Sequence, residues 1–435
     1  MTRPLIIETP PSARGADQRA GSPGPRVSGL RWLLLAPTAV LTLVLLPMIY
    51  GRIVFGSDYL LDFTPTVVSH VMLNCAANFL VVMAACSLKG RLDRRLATAL
   101  TRVILVHGAL AFFVLITHRA YSNQFMLLAI TVSTVLAVAV VYCENRIVRP
   151  RLAVIGATGE QTGLLDNDHT IIHSPQQSLR GYDVILTSHR GAMTAEWAES
   201  LLHASLSGTS VRHLAEFLEE MHGIVSLEHF NLDHLTVGGL TAYSLRKRLI
   251  DIVLVLVTAP ITAPLVLIGM VMVWASMGGP VIFVQSRVGL GGKPFRMFKL
   301  RTMRPAEASD AGRTTRVDDD RITPVGRWLR KVRIDELPQM VNVLKGDMSI
   351  IGPRPEWTVL SDRYEREFPA YTYRHLVRPG ITGWAQVRGG YASDLDETRK
   401  KVGYDLFYIK NLSFSLDMQI LLRTVGTVLT GDGAR

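Results

Sequence analysis

The chain has 435 residues, 48% of them hydrophobic, and a formal charge of +11 at pH 7. That length exceeds one ordinary domain, and a positive mean hydropathy of +0.25 with clumped apolar residues excludes an ordinary soluble enzyme. It points to membrane segments beside a basic surface that meets anionic lipid or phosphorylated ligands.

The three cysteines, Cys75, Cys86 and Cys143, lie in or beside apolar runs and imply neither a disulfide framework nor a zinc site. There is no helix-turn-helix, finger or aromatic RNA-binding pattern, so nucleic acid is not the expected partner. Residues 1 to 29 are rich in Pro, Gly, Ser and Arg and are expected to be a disordered arm. The first apolar run starts only near Leu30 and no small-residue cleavage site follows, which argues against a signal peptide. Four apolar segments come next, at about 30 to 50, 66 to 88, 103 to 117 and 121 to 142. Each is long enough, or nearly so, for a bilayer core that takes about 20 residues of helix. Basic residues cluster in the N-terminal arm, in the loop from Lys89 to Arg102 and at Arg146, Arg149 and Arg151. By the positive-inside rule, both ends of this four-helix bundle, residues 30 to 145, are cytoplasmic.

Residues 146 to 243 form a small α/β module. Leu152-Ala-Val-Ile-Gly-Ala-Thr-Gly159 reads as a buried strand breaking into a glycine turn, and Tyr182-Asp-Val-Ile-Leu186 as a second strand. Gly156, Gly159 and Gly163 do not give the G-x-G-x-x-G spacing. A Rossmann-like accessory module is therefore expected rather than a cofactor site. The same test counts against a membrane-bound NAD-dependent dehydratase, as does Tyr404-x-x-x-Tyr408 where a Tyr-x-x-x-Lys pair is required. What the module binds, and whether the chain forms a homodimer through it, stay open.

The apolar run 249 to 275 has Arg246, Lys247 and Arg248 before it and Arg287, Lys293 and Arg296 after it, with Pro260 and Pro264 at its centre. Prolines there kink or break a helix, and basic residues on both flanks argue for a re-entrant helix that enters and returns on one face. An ordinary kinked transmembrane helix is the alternative. Val281-Ile-Phe-Val284 reads as a strand, and the alternation after Gly289 puts Lys299 and Arg301 on one face. Pro324 to Arg333 reads as a basic amphipathic helix of the interfacial kind, and a last amphipathic helix near 412 to 430 is expected to share that lipid surface.

Between those helices, Arg333-Ile-Asp-Glu-Leu-Pro-Gln339 sets the adjacent carboxylates Asp335 and Glu336 among fixed positive charges, and the stretch ends in Pro353-Arg354-Pro355. This combination suits phosphate chemistry. A carboxylate attacks phosphorus, a divalent metal bridges carboxylate and phosphate, and Arg holds phosphate oxygens in a bidentate fork. A solvated helix corner with no chemistry is the rival reading of the carboxylate pair.

From about 244 to the C-terminus the chain resembles the bacterial sugar transferases, the monotopic phosphoglycosyl transferases. The resemblance rests on Phe298-Lys-Leu-Arg-Thr-Met303, Arg333 to Gln339, Asn342 to Pro355, Arg378-Pro-Gly-Ile-Thr-Gly-Trp-Ala-Gln-Val387 and Tyr404-Asp-Leu-Phe-Tyr-Ile-Lys-Asn411, in that order. Members often carry Ser-Pro at the helix bend, where this chain has Ala263-Pro264. The resemblance implies a membrane α-helical bundle plus α/β. In it, a four-helix bundle and a Rossmann-like module precede a mainly α catalytic domain, 244 to 435, with a re-entrant anchor and interfacial helices.

It also implies transfer of a hexose 1-phosphate, glucose or galactose, from a UDP-sugar to undecaprenyl phosphate at the cytoplasmic face of a bacterial inner membrane. The reaction releases UMP and begins exopolysaccharide, O-antigen or capsule synthesis. Asp335 would attack the β-phosphorus, and magnesium shared with the diphosphate would offset charge repulsion. Glu336 would assist as metal partner or as base. Arg354 is the candidate phosphate clamp, with Lys299, Arg301 and Arg333 adding positive field. Asp405 lies in a shared motif, and Gln386 lies in the Gly-Trp-Ala-Gln turn, where packing and substrate contact are both open.

Overall fold

The computed structural model describes residues 65–86, 92–117, 123–147, 150–165, 168–188, 193–227, 230, 237–304, 319, 321–389 and 395–430, with a few positions between 37 and 48. The expected N-terminal arm lies outside the described residues, as does nearly all of the first apolar segment.

Helices α1 (Pro65–Cys86), α2 (Leu92–Ile116) and α3 (Asn123–Ile147) pack on one another. Val81, Ala85, Ala99, Val103, Ala137 and Val141 form a buried cluster between them, whose small side chains let the backbones approach closely. Among the described residues, three helical stretches are long and apolar enough to cross a membrane: Arg94–Ile116, Gln124–Arg146 and Tyr243–Met277. The third expected segment begins earlier than its apolar run suggests. Arg94, Arg95 and Arg102, expected in a loop, lie on α2. Arg95 pairs with Glu144 of α3 and Arg102 donates to the Ala84 carbonyl, so partners on neighbouring helices carry these charges into the bundle.

The small unit runs β1 (Leu152–Ile155), α4 (Gly159–Gly163), β2 (His169–Ile172), β3 (Val184–Thr187), α5 (Ala195–Leu206), β4 (Ser210–His213) and α6 (Leu214–His222). Its strands form one parallel sheet in the order β2-β1-β3-β4. β1 is buried along its whole length, as its apolar run predicts. β2 and β4 are partly exposed and carry no continuous apolar run, so the sequence did not announce them. α6 ends at Gly223 in the left-handed conformation, φ 68°. The Gly223 carbonyl accepts a hydrogen bond from the Trp384 indole at 2.7 Å, and Glu219 pairs with Lys410 at 2.7 Å. These contacts fasten the small unit to the C-terminal domain.

Helix α7 (Val237–Met277) is 41 residues long and continues through Pro260 and Pro264. The expected domain boundary at 243 and the expected helix start at 249 both fall inside it. Beside the prolines, Thr258 and Thr262 donate back to the carbonyls of Leu254 and Thr258, at 2.7 and 3.1 Å, a pattern that bends helices. Both arms pack on the C-terminal domain. On the first arm, Arg248 donates to the Val343 and Leu344 carbonyls, Asp251 accepts from the Ile350 amide, and Val255 packs with Met297, Val343 and Met348. On the second, Val273 packs with Leu300 and Leu329, and the Met277 carbonyl accepts from Arg301. The apolar residues between the arms, including Leu256, Val257, Ile261, Leu267 and Ile268, are exposed.

The C-terminal domain continues with the antiparallel hairpin β5 (Ile282–Val288) and β6 (Pro294–Leu300), then α8 (Pro324–Lys331), α9 (Gln339–Lys345) and β7 (Ser349–Ile351). α10 (Thr358–Glu367), β8 (Gly380–Thr382), α11 (Trp384–Arg388), α12 (Leu395–Lys410) and α13 (Phe414–Thr430) complete it. β7 and β8 pair in parallel. The last helix is buried in protein along its first turns. Leu416 and Ile420 of α13 are buried with Trp384, Leu406 and Tyr408, and α13 packs on α2, with Ser415 hydrogen-bonded to Thr98. Its first turns are thus covered by protein, while Leu422 and Val425 farther along are exposed.

Candidate active site

α8 stops at Lys331, and Arg333 takes a positive φ of 55°, the one non-glycine to do so among the described residues. Such backbone costs about 1–2 kcal/mol and persists where the surroundings impose it, often at functional sites. A 3-10 turn, Ile334–Glu336, follows at once, and Pro338 starts α9. Asp335 and Glu336 are both buried, at 8% and 7% exposure. The turn packs against β6 and α7.

The two carboxylates are treated differently. Glu336 Oε1 accepts from Lys299 Nζ and from Arg354 Nη2, each at 3.0 Å, and Arg333 Nη1 stands 3.5 Å from Oε2. Burial would raise the Glu336 carboxyl, but Arg354, Lys299 and Arg333 overcome it and hold the group well below the usual carboxylate range. Asp335 accepts no hydrogen bond among the described residues. Burial and the neighbouring Glu336 charge push its carboxyl up to about 6, against the milder pull of Lys299, Arg330 and Arg354. Lys299 is itself lowered by burial, with Glu336 opposing.

Each cation is placed by a specific local device. Lys299 lies on β6, whose edge is satisfied by Asn342 of α9. The Asn342 Oδ1 accepts from the Phe298 amide at 3.1 Å, and its Nδ2 donates to the Arg296 carbonyl at 2.7 Å. Asn342 is fully buried between Val341 and Val343, and its polar side chain in an apolar run was the available sign of a positioning role. Arg354 follows β7. Gly352 lies backbone to backbone with Gly380 and Gly383, where a Cβ on Gly380 would come within 2.1 Å of the Gly352 nitrogen. No larger residue fits there, and the Pro-Arg-Pro turn is held in one place.

Asp405 acts behind Arg354. Its Oδ2 accepts from Arg374 Nε at 2.7 Å, and Arg374 in turn donates to the Tyr371 hydroxyl at 2.6 Å and to the Arg354 carbonyl at 3.0 Å. Both members of the Asp405–Arg374 pair are buried. Burial drives the Asp405 carboxyl up even against that guanidinium. Arg374 went unmarked in the sequence, where a lone Arg among Tyr371, Tyr373 and Leu376 was its only signal.

Two expected residues go elsewhere. β6 ends at Leu300, so the alternation that would align Arg301 with Lys299 stops one residue short. Arg301 instead donates to the Met277 and Gly279 carbonyls, at 2.7 and 3.1 Å, and closes the end of α7. Gln386 donates to the Ile381 carbonyl at 3.1 Å and braces the turn before α11. The structure thus unites Asp335, Glu336, Lys299, Arg333 and Arg354, sets Asp405 behind Arg354, and leaves Arg301 and Gln386 in supporting positions.

A buried carboxylate with few partners beside one held ionised by three cations can act as a nucleophile toward a phosphorylated ligand. Comparison with known proteins agrees with that chemistry. Residues 242–431 match the bacterial sugar transferase family. The chain is 37% identical over 340 residues, 77% of its length and 80% of the relative, to a UDP-N-acetylgalactosamine-undecaprenyl-phosphate N-acetylgalactosaminephosphotransferase of Aeromonas hydrophila. It is 44% identical over 195 residues, 44% of this chain and 73% of the relative, to a UDP-glucose:undecaprenyl-phosphate glucose-1-phosphate transferase of Caulobacter vibrioides. An Escherichia coli protein of that same name is 39% identical over 210 residues, covering 48% of this chain and 44% of the relative. The chain belongs to the bacterial sugar transferase family.

Proposed function

We propose that the protein transfers a sugar 1-phosphate from a UDP-sugar to undecaprenyl phosphate at the cytoplasmic face of a bacterial inner membrane. The observation that carries this is the unequal partnering of the two adjacent carboxylates. In the first step a carboxylate oxygen of Asp335 forms a bond to the β-phosphorus, and the bond from that phosphorus to the bridging oxygen breaks, so UMP leaves with that oxygen. In the second step an oxygen of the lipid phosphate attacks the same phosphorus, and the Asp335 carboxylate is the leaving group. Glu336 keeps Lys299 and Arg354 oriented for the phosphate oxygens, which stabilises charge that develops as the bonds change.

Magnesium is part of this reading. Mg²⁺ is commonly held by one or two carboxylates together with substrate phosphates. Asp335 is the residue that fits, because the Glu336 oxygens already receive Lys299, Arg354 and Arg333. Bound there, the ion would offset repulsion between the carboxylate and the diphosphate.

The membrane part of this reading rests on α7. The residues of α7 that pack on the C-terminal domain flank an exposed apolar middle that holds both prolines. This supports a re-entrant anchor that sinks its bend into the cytoplasmic leaflet and leaves Asp335 near headgroup depth. Exposed Trp274, Trp328 and Val332 would lie at the same interface.

The donor sugar is a hexose or an N-acetylhexosamine. Sequence reading favours glucose or galactose, whereas the relative aligned through most of both chains carries N-acetylgalactosamine in its name. The experiment is UMP release from UDP-glucose, UDP-galactose, UDP-N-acetylglucosamine and UDP-N-acetylgalactosamine with undecaprenyl phosphate and magnesium. At least one donor should release UMP in wild type, and Asp335→Asn should abolish it. Full release by the variant would place the nucleophile elsewhere, and no release from any donor by wild type would favour a scaffold.

A further inference from the structure

Arg287 of β5 has no part in the reaction as set out above, yet it borders the same cations. It lines a small cleft with Met297, Lys299, Gln339, Arg354 and Pro355. Its hydrogen bonds go to neutral acceptors. Nε and Nη2 both donate to Gln285 Oε1, at 3.1 and 2.7 Å, and Nη1 donates to the Pro355 carbonyl at 3.2 Å. The nearest carboxylate partner, Glu356, stands 3.9 Å away. A guanidinium carries more N–H donors than these contacts use, and the Gln285 clamp fixes the plane in which the others lie.

We propose that Arg287 is a phosphate-binding residue, which holds a second phosphate beside the one that Asp335 attacks; the inference rests on the sugar-phosphate transfer proposed above. Lys299 and Arg354 border both Glu336 and the cleft. A diphosphate lying across them, with its reacting phosphorus toward Asp335, directs its other phosphate to Arg287. When the bond from the β-phosphorus to the bridging oxygen breaks, that oxygen stays on UMP and its phosphate gains negative charge. A fixed guanidinium in a cleft stabilises that charge. The acceptor lipid phosphate has the same chemistry and enters once UMP has left, so two sources fit one site.

The test uses the full-length protein and separates the half-reactions. UMP and uridine are compared as inhibitors of adduct formation from donor alone, and transfer from the preformed adduct to undecaprenyl phosphate is timed. If the cleft holds the UMP phosphate, Arg287→Gln lowers the advantage of UMP over uridine by about tenfold or more, leaves uridine inhibition unchanged, and Arg287→Lys restores part of it. If the cleft holds the lipid phosphate, that ratio stays at the wild-type value and transfer from the adduct slows instead; this also supports the inference. Wild-type behaviour in both arms overturns it, as does equal weakening of UMP and uridine. If Arg287→Gln does not fold, Gln285→Leu must lower the same ratio or slow transfer from the adduct, because it unclamps the guanidinium and spares its Pro355 contact; wild-type behaviour in both arms overturns the inference. A wild-type protein that forms no adduct rejects the two-step transfer proposed above, a result distinct from any of these.

Discussion

Asp335 and Glu336 leave one 3-10 turn side by side, and the second takes two hydrogen bonds from cations that bypass the first. The consequence is a carboxyl at about 6 next to one held ionised far into acid. If Asp335 attacks as the carboxylate, single-turnover UMP release should climb roughly tenfold per pH unit below about pH 6 and level off above it. Glu336 would contribute no second inflection near neutrality. A rate independent of pH between 4.5 and 7 would place the nucleophile elsewhere.

The same contrast sets opposite signs for stability. Asp335 has a folded-state value above its ordinary 3.8, so its ionisation opposes folding increasingly from pH 3.8 to about 6 and fully above that. Asp335→Asn should therefore stabilise the protein at pH 7.5, by up to about 3 kcal/mol from a shift of that size. Glu336 is lowered, so its contribution is present above the ordinary carboxylate range and fades only in strong acid. Glu336→Gln leaves Lys299 and Arg354 without their shared anion and should destabilise by about 3–5 kcal/mol. Melting temperatures in detergent should move up for the first variant and down for the second. Movement in the same direction would contradict the assigned electrostatics.

Asp405 reaches the site only through Arg374, which holds the Arg354 carbonyl. Asp405→Asn should lower kcat by about 10- to 100-fold with a smaller change in KM for the donor, because the clamp is displaced rather than removed. Arg374→Lys should behave alike, since an ammonium cannot hold all three acceptors in the plane of the guanidinium. A rise in KM with kcat unchanged would instead place Asp405 in direct contact with substrate.

Much of this site could be read from the sequence because its parts are local. The adjacent carboxylates and the Pro-Arg-Pro turn declare themselves within a few residues, and the β6 alternation marks Lys299. What could not be read depends on contacts between distant segments. Arg301 turned away because β6 ends at Leu300 and the helix end at Met277 offers it carbonyls. Arg374 and Asn342 acquire their roles only when α12 and β6 come alongside them. In the membrane part, a search for apolar runs put the start of the third segment at 103. α2 in fact begins at Leu92, because Glu144, far away in sequence, supplies a partner for Arg95. The two strands missed in the small unit are short and partly exposed, so neither periodicity nor apolar length distinguished them from loop.

The re-entrant reading of α7 makes a topological prediction. Single cysteines at Leu245→Cys and Ser276→Cys, in a background free of Cys75, Cys86 and Cys143, should both react with a membrane-impermeant maleimide in inverted vesicles and neither in intact spheroplasts. Labelling of the two positions from opposite sides would make α7 an ordinary span.

The most direct test of the covalent route is mass spectrometry of the intact protein and its peptides after incubation with UDP-sugar and magnesium, without undecaprenyl phosphate. The account predicts one equivalent of UMP and a sugar-phosphate mass increment on the peptide that contains Asp335, discharged when the lipid phosphate is added. Release of UMP only in the presence of the acceptor, with no increment at Asp335, would contradict it.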